Sequence, residues 1–153
     1  MSLAYVALGT NLGRRLDHLA EARRRLSALG ALRRGPVLET DAWLPPEDPT
    51  PQPRYLNTVD ELDTALAPLR LFTELKRIER LMGRVVTTRW APRVIDLDLV
   101  LFDDVVLRSE ALTVPHPRMH ERPFVLRPLA ALRPGLTHPV LGRTIAELSR
   151  SVT

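Results

Sequence analysis

The chain has 153 residues, of which 44% are hydrophobic and 26% charged, as expected of one globular domain that can bury a core. It contains no cysteine, which excludes disulfides, thiolate metal sites and cysteine nucleophiles, and its net charge of +4 keeps nucleic acid among the possible partners. Its apolar runs are shorter than the roughly 20 residues of a membrane span, and its N-terminus lacks a signal-peptide pattern, so we expect a cytoplasmic protein without a membrane segment.

Hydrophobic periodicity divides the chain into strands and helices. Apolar residues three and four apart predict two long helices; Pro68 opens the second, and Gly30 and Gly83 end them. Five prolines between positions 45 and 53 predict a stiff surface loop, because proline fits neither a helix interior nor a central strand. In chain order, the pattern predicts a strand at 3–8, a helix at 14–29, extended chain at 31–44, the proline-rich loop, a strand at 55–66, a helix at 68–82, a polar loop at 84–89, a strand at 95–102, a hairpin at 103–107 and short helices at 124–132 and 144–149.

The order strand–helix–strand–strand–helix–strand predicts a single α+β domain, residues 1–153, with a ferredoxin-like sandwich. In this fold two helices cover one face of an antiparallel sheet, and loops on the other side are free to build a site. A C-terminal hairpin and short helices follow the core. The loop Gly9-Thr10-Asn11-Leu12-Gly13 is interpreted as a plain strand-to-helix turn, because it lacks the spacing and the lysine of a phosphate-binding loop.

The strand at 95–102 carries the most informative pattern in the chain. Side chains alternate across a strand, so Asp96 and Asp98 point to one face at a spacing of roughly 6.5–7 Å. Two carboxylates at that spacing suit Mg²⁺ shared with substrate phosphates, and Arg93 adds a phosphate-binding guanidinium. The alternative is a wet sheet face on which both aspartates meet water. The alternation assigns Ile95, Leu97, Leu99 and Leu101 to one face and Asp96, Asp98, Val100 and Phe102 to the other.

Several segments, read together, resemble one enzyme family. The downstream Pro115-His116-Pro117 and the R-x-x-D-x-D pattern from Arg93 are the specific parts, whereas the glycine turn is weak. The chain resembles 6-hydroxymethyl-7,8-dihydropterin pyrophosphokinases over residues 3 to about 148. The segments that carry the resemblance are Ala7–Gly13, Tyr55-Leu56-Asn57, Ile78-Glu79, Gly83-Arg84, Arg89–Asp98, Pro115-His116-Pro117, Arg122 and Phe124-Val125-Leu126.

This resemblance implies transfer of pyrophosphate from ATP to the pterin hydroxymethyl group, with release of AMP, in folate biosynthesis. It implies two Mg²⁺ ions held by Asp96 and Asp98. Arg84 and Arg93 would act with the aspartates in catalysis, since positioning and electrostatics supply most of such a reaction. The residues implied to contact ATP are Arg84, Trp90, Arg93, Leu99, Thr113, His116 and Arg122, with Leu99 and Thr113 at the adenine.

The pterin is flat and rich in donors and acceptors, so it needs stacking partners and a polar group at its edge. By resemblance, Tyr55 and Phe124 stack on the ring and Asn57 reads its edge. Plain core packing is the alternative for Phe124, and a structural role is the alternative for His116. The implied pterin-binding set is Pro45, Tyr55, Asn57, Trp90, Asp96 and Phe124.

Two other functional interpretations of the sequence are considered as alternatives. An RNA-binding ferredoxin-like module would suit the basic charge, but it needs paired aromatics on central strands, where this chain has two carboxylates. A non-catalytic family member is the second, although both aspartates and Arg93 are present. Glu79 is assigned either to the nucleotide region or to a surface ion pair. We expect a monomer that binds ATP and the pterin, with no nucleic acid and no membrane partner; Leu44, Val86 and Ala111 depart from familiar members.

Overall fold

The computed structural model describes residues 1–83 and 94–152. The elements found there follow the predicted order, with ends that differ by a few residues. The strands are β1 (Ser2–Thr10), β2 (Ala31–Arg33), β3 (Leu38–Thr40), β4 (Tyr55–Thr64), β5 (Asp96–Phe102), β6 (Leu107–Arg108) and β7 (Thr113–Val114). The helices are α1 (Arg15–Leu26), α2 (Pro68–Leu81), α3 (Pro123–Leu132) and α4 (Ile145–Ser151), with a 3-10 turn at Met119–Glu121.

The main sheet is antiparallel, in the order β2-β4-β1-β5, and β3 pairs with β4 beside β2. β1 lies in the middle because its continuous apolar run from Leu3 to Leu8 can be buried on both faces. The predicted α+β ferredoxin-like fold is therefore confirmed. The predicted hairpin differs in detail, because Leu107–Arg108 pairs with Thr113–Val114 and not with β5.

Helices α1 and α2 lie on one face of the sheet, as the sequence predicts. Pro68 occupies the first turn of α2, where its missing N–H costs nothing. The helices bury their leucine stripes against the even-numbered residues of β1. This helix-side core contains Ala4, Val6, Leu8, Leu19, Ala22, Leu26, Leu62, Leu71, Leu75, Ile78, Ile95, Leu97, Leu99 and Phe102.

The opposite face is not left to loops alone, which differs from the sequence-based expectation. Helices α3 and α4 cover its far end and form a second apolar cluster around Tyr5, Val59 and Leu126. Their apolar residues are numerous enough to need this burial, since α3 buries five of its ten residues. The near end of that face, where β1 and β5 carry Gly9 and Asp96, is the part that a site can use.

A β-bulge in β5 corrects part of the predicted alternation. Val6 pairs with Leu99 and Tyr5 with Leu101, so Val100 is an extra residue between them. A bulge of this kind moves the following side chains to the opposite faces. Leu101 therefore joins the second cluster and Phe102 the helix-side core, the reverse of the prediction, while Asp96 and Asp98 precede the bulge and keep their predicted face.

A buried ion pair fastens α1 to the sheet. The Arg23 guanidinium donates to both carboxylate oxygens of Asp60, at 2.9 and 2.8 Å, and to the carbonyl of Gly35 at 3.0 Å. The Gly35 N–H in turn donates to Asp60 at 3.0 Å. A β-carbon at Gly35 would lie 2.0 Å from the Val59 carbonyl oxygen, so this close approach requires glycine.

A second charged group joins α3 to β4. Glu61 is 6% exposed; its carboxylate accepts from the Tyr5 hydroxyl at 2.8 Å and from Arg133 at 2.6 Å. The Arg133 guanidinium lowers the pKa of Glu61 below its ordinary range. Burial and the hydrogen bond to Glu61 raise the pKa of Tyr5 to about 12. The ionised carboxylate is thus the form that the folded chain stabilises.

Replacing this carboxylate should change the pH dependence of stability. Because the pKa of Glu61 is lowered on folding, its contribution is present above the ordinary carboxyl value of 4.5 and is lost as the pH falls through the folded value. We expect Glu61→Gln to cost about 1–3 kcal/mol at pH 7 and less at pH 3. Urea unfolding at both pH values, with the exposed Glu47→Gln as the control, measures this difference. An equal cost at both pH values would contradict it.

Candidate active site

The site is organised by a row of three paired residues across the sheet. Asn57 of β4 pairs with Gly9 of β1, and Gly9 pairs with Asp96 of β5. Paired residues in an antiparallel sheet share a face, so the side chains of Asn57 and Asp96 rise on the same side, about 10 Å apart at two strand spacings. Asp98 follows two residues further along β5, opposite Ala7, and therefore shares this face.

Gly9 allows two side chains of β4 to lie close over this row. A β-carbon at Gly9 would lie 2.9 Å from the Asn57 side-chain oxygen and 3.6 Å from the Tyr55 ring. The Asn57 amide is held in this orientation because its Nδ2 donates to the Thr40 hydroxyl at 2.7 Å. A side chain at Gly9 would therefore displace Asn57, and glycine keeps the amide and the Tyr55 ring together on the face that carries Asp96.

The two aspartates form the acidic side of the site. Both are partly exposed, and the Asp98 side chain is 43% exposed, so water and a ligand can reach them. Within residues 1–83 and 94–152, no group of three or more His, Asp and Glu is placed to hold a metal by itself. Two carboxylates with hard oxygen donors nevertheless fit Mg²⁺, which takes its remaining ligands from water and substrate phosphates.

Cationic side chains surround this acidic pair. Lys76, the only lysine in the sequence, places its ammonium 3.9 Å from Asp98. Burial lowers the pKa of the Arg122 guanidinium, and the charges of Asp98 and Asp96 oppose that effect. The charge of Arg122 therefore interacts with the charges of both carboxylates. Such a mixed field suits a polyphosphate that arrives with its own cations.

His116 is held in place by its neighbours on both sides. The backbone N–H of His116 donates to the carbonyl of the bulged Val100 at 2.9 Å. The ring Nδ1 accepts from the backbone N–H of Arg118 at 3.2 Å. Burial lowers the pKa of the imidazole; Arg122 and Arg118 act in the same direction, whereas Asp98 opposes them. With Nδ1 occupied as an acceptor, the neutral ring carries its proton on Nε2 and can donate it to a ligand.

Phe124 lies in the first turn of α3 and packs, half-buried, against the second cluster. The Arg122 guanidinium lies over its ring, 5.8 Å from the centroid. The structure thus brings Phe124 to Arg122. The predicted stacking of Tyr55 and Phe124 on one ligand is compatible with this placement and stays a prediction.

The remaining predicted residues fall in different surroundings. Thr113 and His116 line a cavity of about 230 Å³. The Leu99 side chain is 3% exposed in the helix-side core, so a contact between Leu99 and a nucleotide would have to use its main chain. Pro45 is buried, and its carbonyl accepts from Asp48 in a turn of the proline-rich loop. Arg84, Trp90 and Arg93 lie outside the described residues, and their assigned roles remain predictions.

Sequence reasoning missed the role of some residues around the site. The sequence pattern predicts Gly9 in a turn after the strand, whereas β1 continues to Thr10 and places Gly9 in the row with Asn57 and Asp96. Thr40 orients Asn57, and neither its type nor its position signals this. Glu79 is 2% exposed, which rules out a surface ion pair, and it bonds the backbone of β5.

Fold and site define an α+β ferredoxin-like domain with one charged, partly open sheet face. Residues 5–134 match the family model described as 7,8-dihydro-6-hydroxymethylpterin-pyrophosphokinase. The chain belongs to this family, which confirms the resemblance seen in the sequence.

Individual relatives agree with the family match. A 2-amino-4-hydroxy-6-hydroxymethyldihydropteridine pyrophosphokinase of Pseudomonas aeruginosa is 45% identical over 150 residues, 94% of this chain and 88% of that protein. The protein of the same name from Haemophilus influenzae is 39% identical, over 91% of this chain and 86% of its own. The folic acid synthesis protein fol1 of Schizosaccharomyces pombe is 38% identical over 95% of this chain, which spans only 20% of fol1.

Solved structures share the fold at low sequence identity. The wild-type HPPK-DHPS of Plasmodium falciparum superposes with a TM-score of 0.72 at 18% identity, covering 99% of this chain and 43% of that one. An HPPK-DHPS described as in complex with substrates gives a TM-score of 0.74 at 14% identity, over 98% of this chain and 43% of its own. The chain thus spans less than half of these longer proteins.

None of the helices in the described part of the chain has the length and apolar character that a membrane span needs.

Proposed function

We propose that the chain transfers pyrophosphate from ATP to the hydroxymethyl group of 6-hydroxymethyl-7,8-dihydropterin and releases AMP. The pterin hydroxyl oxygen attacks the β-phosphorus, and the bond from that phosphorus to the α–β bridging oxygen breaks. The observation that carries the proposal is the row Asn57–Gly9–Asp96, which puts the Asn57 amide and the Tyr55 ring on the same sheet face as the acidic pair. Membership of the pyrophosphokinase family supports it independently.

The acidic pair is the proposed metal site. Asp96 and Asp98 would hold two Mg²⁺ ions, which when bound neutralise charge on the phosphate oxygens. His116 and Arg122 bind and orient the triphosphate, while Thr113 and the Leu99 main chain border the adenine. Arg84, Trp90 and Arg93 complete the set on resemblance alone. Orientation of this kind lowers the barrier because little covalent chemistry is left for the protein to do.

The sheet face around Gly9 is the proposed pterin site. Asn57 places its side-chain oxygen over Gly9, where it can accept from a ring N–H or amino group. Tyr55 and Phe124 stack on the ring, and Pro45, Trp90 and Asp96 complete its surroundings. The attacking hydroxymethyl group would then point toward Asp96, next to the phosphates.

We propose one catalytic domain over residues 1–153, in keeping with bacterial relatives of about the same length. We also propose that it acts as a cytoplasmic monomer. An RNA-binding role is disfavoured by the two carboxylates on the open sheet face, since they would repel a phosphate backbone.

A coupled assay tests the reaction directly. AMP release from ATP is followed with and without 6-hydroxymethyl-7,8-dihydropterin, at several Mg²⁺ concentrations and after chelation. We expect AMP to form only with the pterin and the metal, together with the diphosphorylated pterin. Pterin-independent AMP release, or none at all under every condition, would contradict the proposal.

Phe124→Ala should separate pterin binding from ATP binding. Loss of one stacking partner should weaken pterin binding by about 1–3 kcal/mol. ATP binding should change much less, because its contacts are assigned to His116, Arg122 and the metal. Calorimetry with each ligand measures the split, and Leu136→Ala, which trims the same cluster away from the site, is the control. Equal weakening of both ligands together with a large loss of stability would assign Phe124 to the core.

A further inference from the structure

Two side chains of helix α2 form hydrogen bonds with the backbone of β5, the strand that carries the acidic pair. Among the described strands, β5 pairs only with β1, so one of its edges faces α2. Leu97, the residue between Asp96 and Asp98, turns both of its backbone polar groups toward that helix. Unpaired groups of this kind must find other partners when they are buried.

Both partners are charged and adjacent on α2. The Leu97 N–H donates to Glu79 Oε2 at 2.7 Å, and the Leu97 carbonyl accepts from Lys76 Nζ at 3.0 Å. The other oxygen of Glu79 lies 3.1 Å from Lys76 Nζ, so the two side chains also hold each other. The Glu79 side chain is only 3% exposed, and a buried carboxylate keeps its charge when it is paired and hydrogen-bonded.

We infer that Glu79 and Lys76 are positioning residues, which clamp the Leu97 backbone and thereby set where Asp96 and Asp98 stand. The inference rests on the proposed metal role of those aspartates. A shift or rotation at Leu97 moves both neighbouring carboxylates together. Mg²⁺ demands near-ideal octahedral geometry at about 2.0–2.1 Å, so it tolerates little of such a shift.

The Lys76 ammonium also lies 3.9 Å from Asp98. Two effects of Lys76 on a metal are therefore possible, and they have opposite signs. As a bare charge it repels the ion, so its removal strengthens metal binding. As part of the clamp it fixes the ligands, so its removal weakens metal binding.

The experiment uses Mn²⁺ as the probe, with binding measured by electron paramagnetic resonance in the presence of a non-hydrolysable ATP analogue. Hydrogen exchange of the Leu97 amide is measured on the same variants. We expect Glu79→Ala to speed that exchange and to weaken Mn²⁺ binding roughly 10–100-fold, as loss of a partner behind the ligands does. Glu79→Gln keeps an acceptor for the Leu97 N–H, so exchange should stay slow and Mn²⁺ binding close to the parent.

Lys76→Met provides a second variant at a partly exposed position, where a folding defect is not expected. It should weaken Mn²⁺ binding, and stronger binding would overturn the clamp in favour of a repelling charge. Controls on the same helix are Glu74→Ala and Arg77→Met, which break an ion pair that does not touch β5. Neither control should change Leu97 exchange or Mn²⁺ binding.

Two results would overturn the inference through Glu79. In the first, Glu79→Ala speeds exchange of the Leu97 amide but binds Mn²⁺ with the parental affinity. In the second, Glu79→Gln keeps this exchange slow but binds Mn²⁺ as poorly as Glu79→Ala does. The second result would mean that the charge of Glu79 acts on the metal directly. Asp98→Asn serves as the reference. If it leaves Mn²⁺ affinity unchanged, the metal role itself is wrong and the clamp on metal ligands falls with it.

Discussion

Asp98→Asn should reduce AMP formation by on the order of 100–1,000-fold while the fold is retained. The substitution removes one of the two negative charges proposed to hold Mg²⁺, and with it transition-state stabilisation worth several kcal/mol. Asp98 is partly exposed and lies before the β-bulge, so an amide of the same size should be accommodated there. Turnover at saturating ATP and pterin, with circular dichroism to check folding, measures the effect.

The matched control for this prediction is Asp104→Asn. Asp104 is exposed just after β5, so the same chemical change is made close by but outside the acidic pair. Its activity should equal that of the parent. Near-normal AMP formation by Asp98→Asn at moderate Mg²⁺ would rule out the metal assignment.

Asp60→Ala should lower the free energy of unfolding by about 3–5 kcal/mol, because it leaves the buried Arg23 guanidinium without its counter-charge. The Gly35 N–H loses its acceptor in the same step. Arg23→Met should cost a similar amount by isolating the Asp60 carboxylate. The site lies on the other face of the sheet, so ligand binding by the folded fraction should be unchanged.

A double-mutant cycle sharpens this second prediction. In the double variant neither charge is stranded, so its cost should be well below the sum of the two single costs. Asp63→Ala, on the same strand but outside the ion pair, is the control and should have a small effect. Additive costs would show that Arg23 and Asp60 act independently, against the geometry of the pair.

Local pattern was enough to predict the elements and the placement of the acidic pair. Asp96 and Asp98 share a face because alternation along a strand is a local property, and nothing between them interrupts it. Pro68 and Gly83 marked the bounds of α2 for equally local reasons. The segment order then restricted the topology to a ferredoxin-like arrangement.

Features that depend on pairing between distant segments could not be predicted in this way. The bulge at Val100 exists only because Val6 and Tyr5 of β1 pair with Leu99 and Leu101, so the faces of Leu101 and Phe102 were assigned wrongly. Gly9 is brought beside Asn57 and Asp96 only by pairing with two other strands. These features are determined by the register between distant strands, which the local pattern of a single sequence does not contain.

The central position of Gly9 has a consequence for how the molecule fluctuates. β1 is hydrogen-bonded on both sides along most of its length, and such strands exchange their amide protons only when the whole molecule unfolds. His116 and Arg122 instead lie between short elements, which open through smaller, local excursions. The β1 backbone around Gly9 should thus open only on global unfolding, whereas the groups assigned to the triphosphate can rearrange within one catalytic cycle.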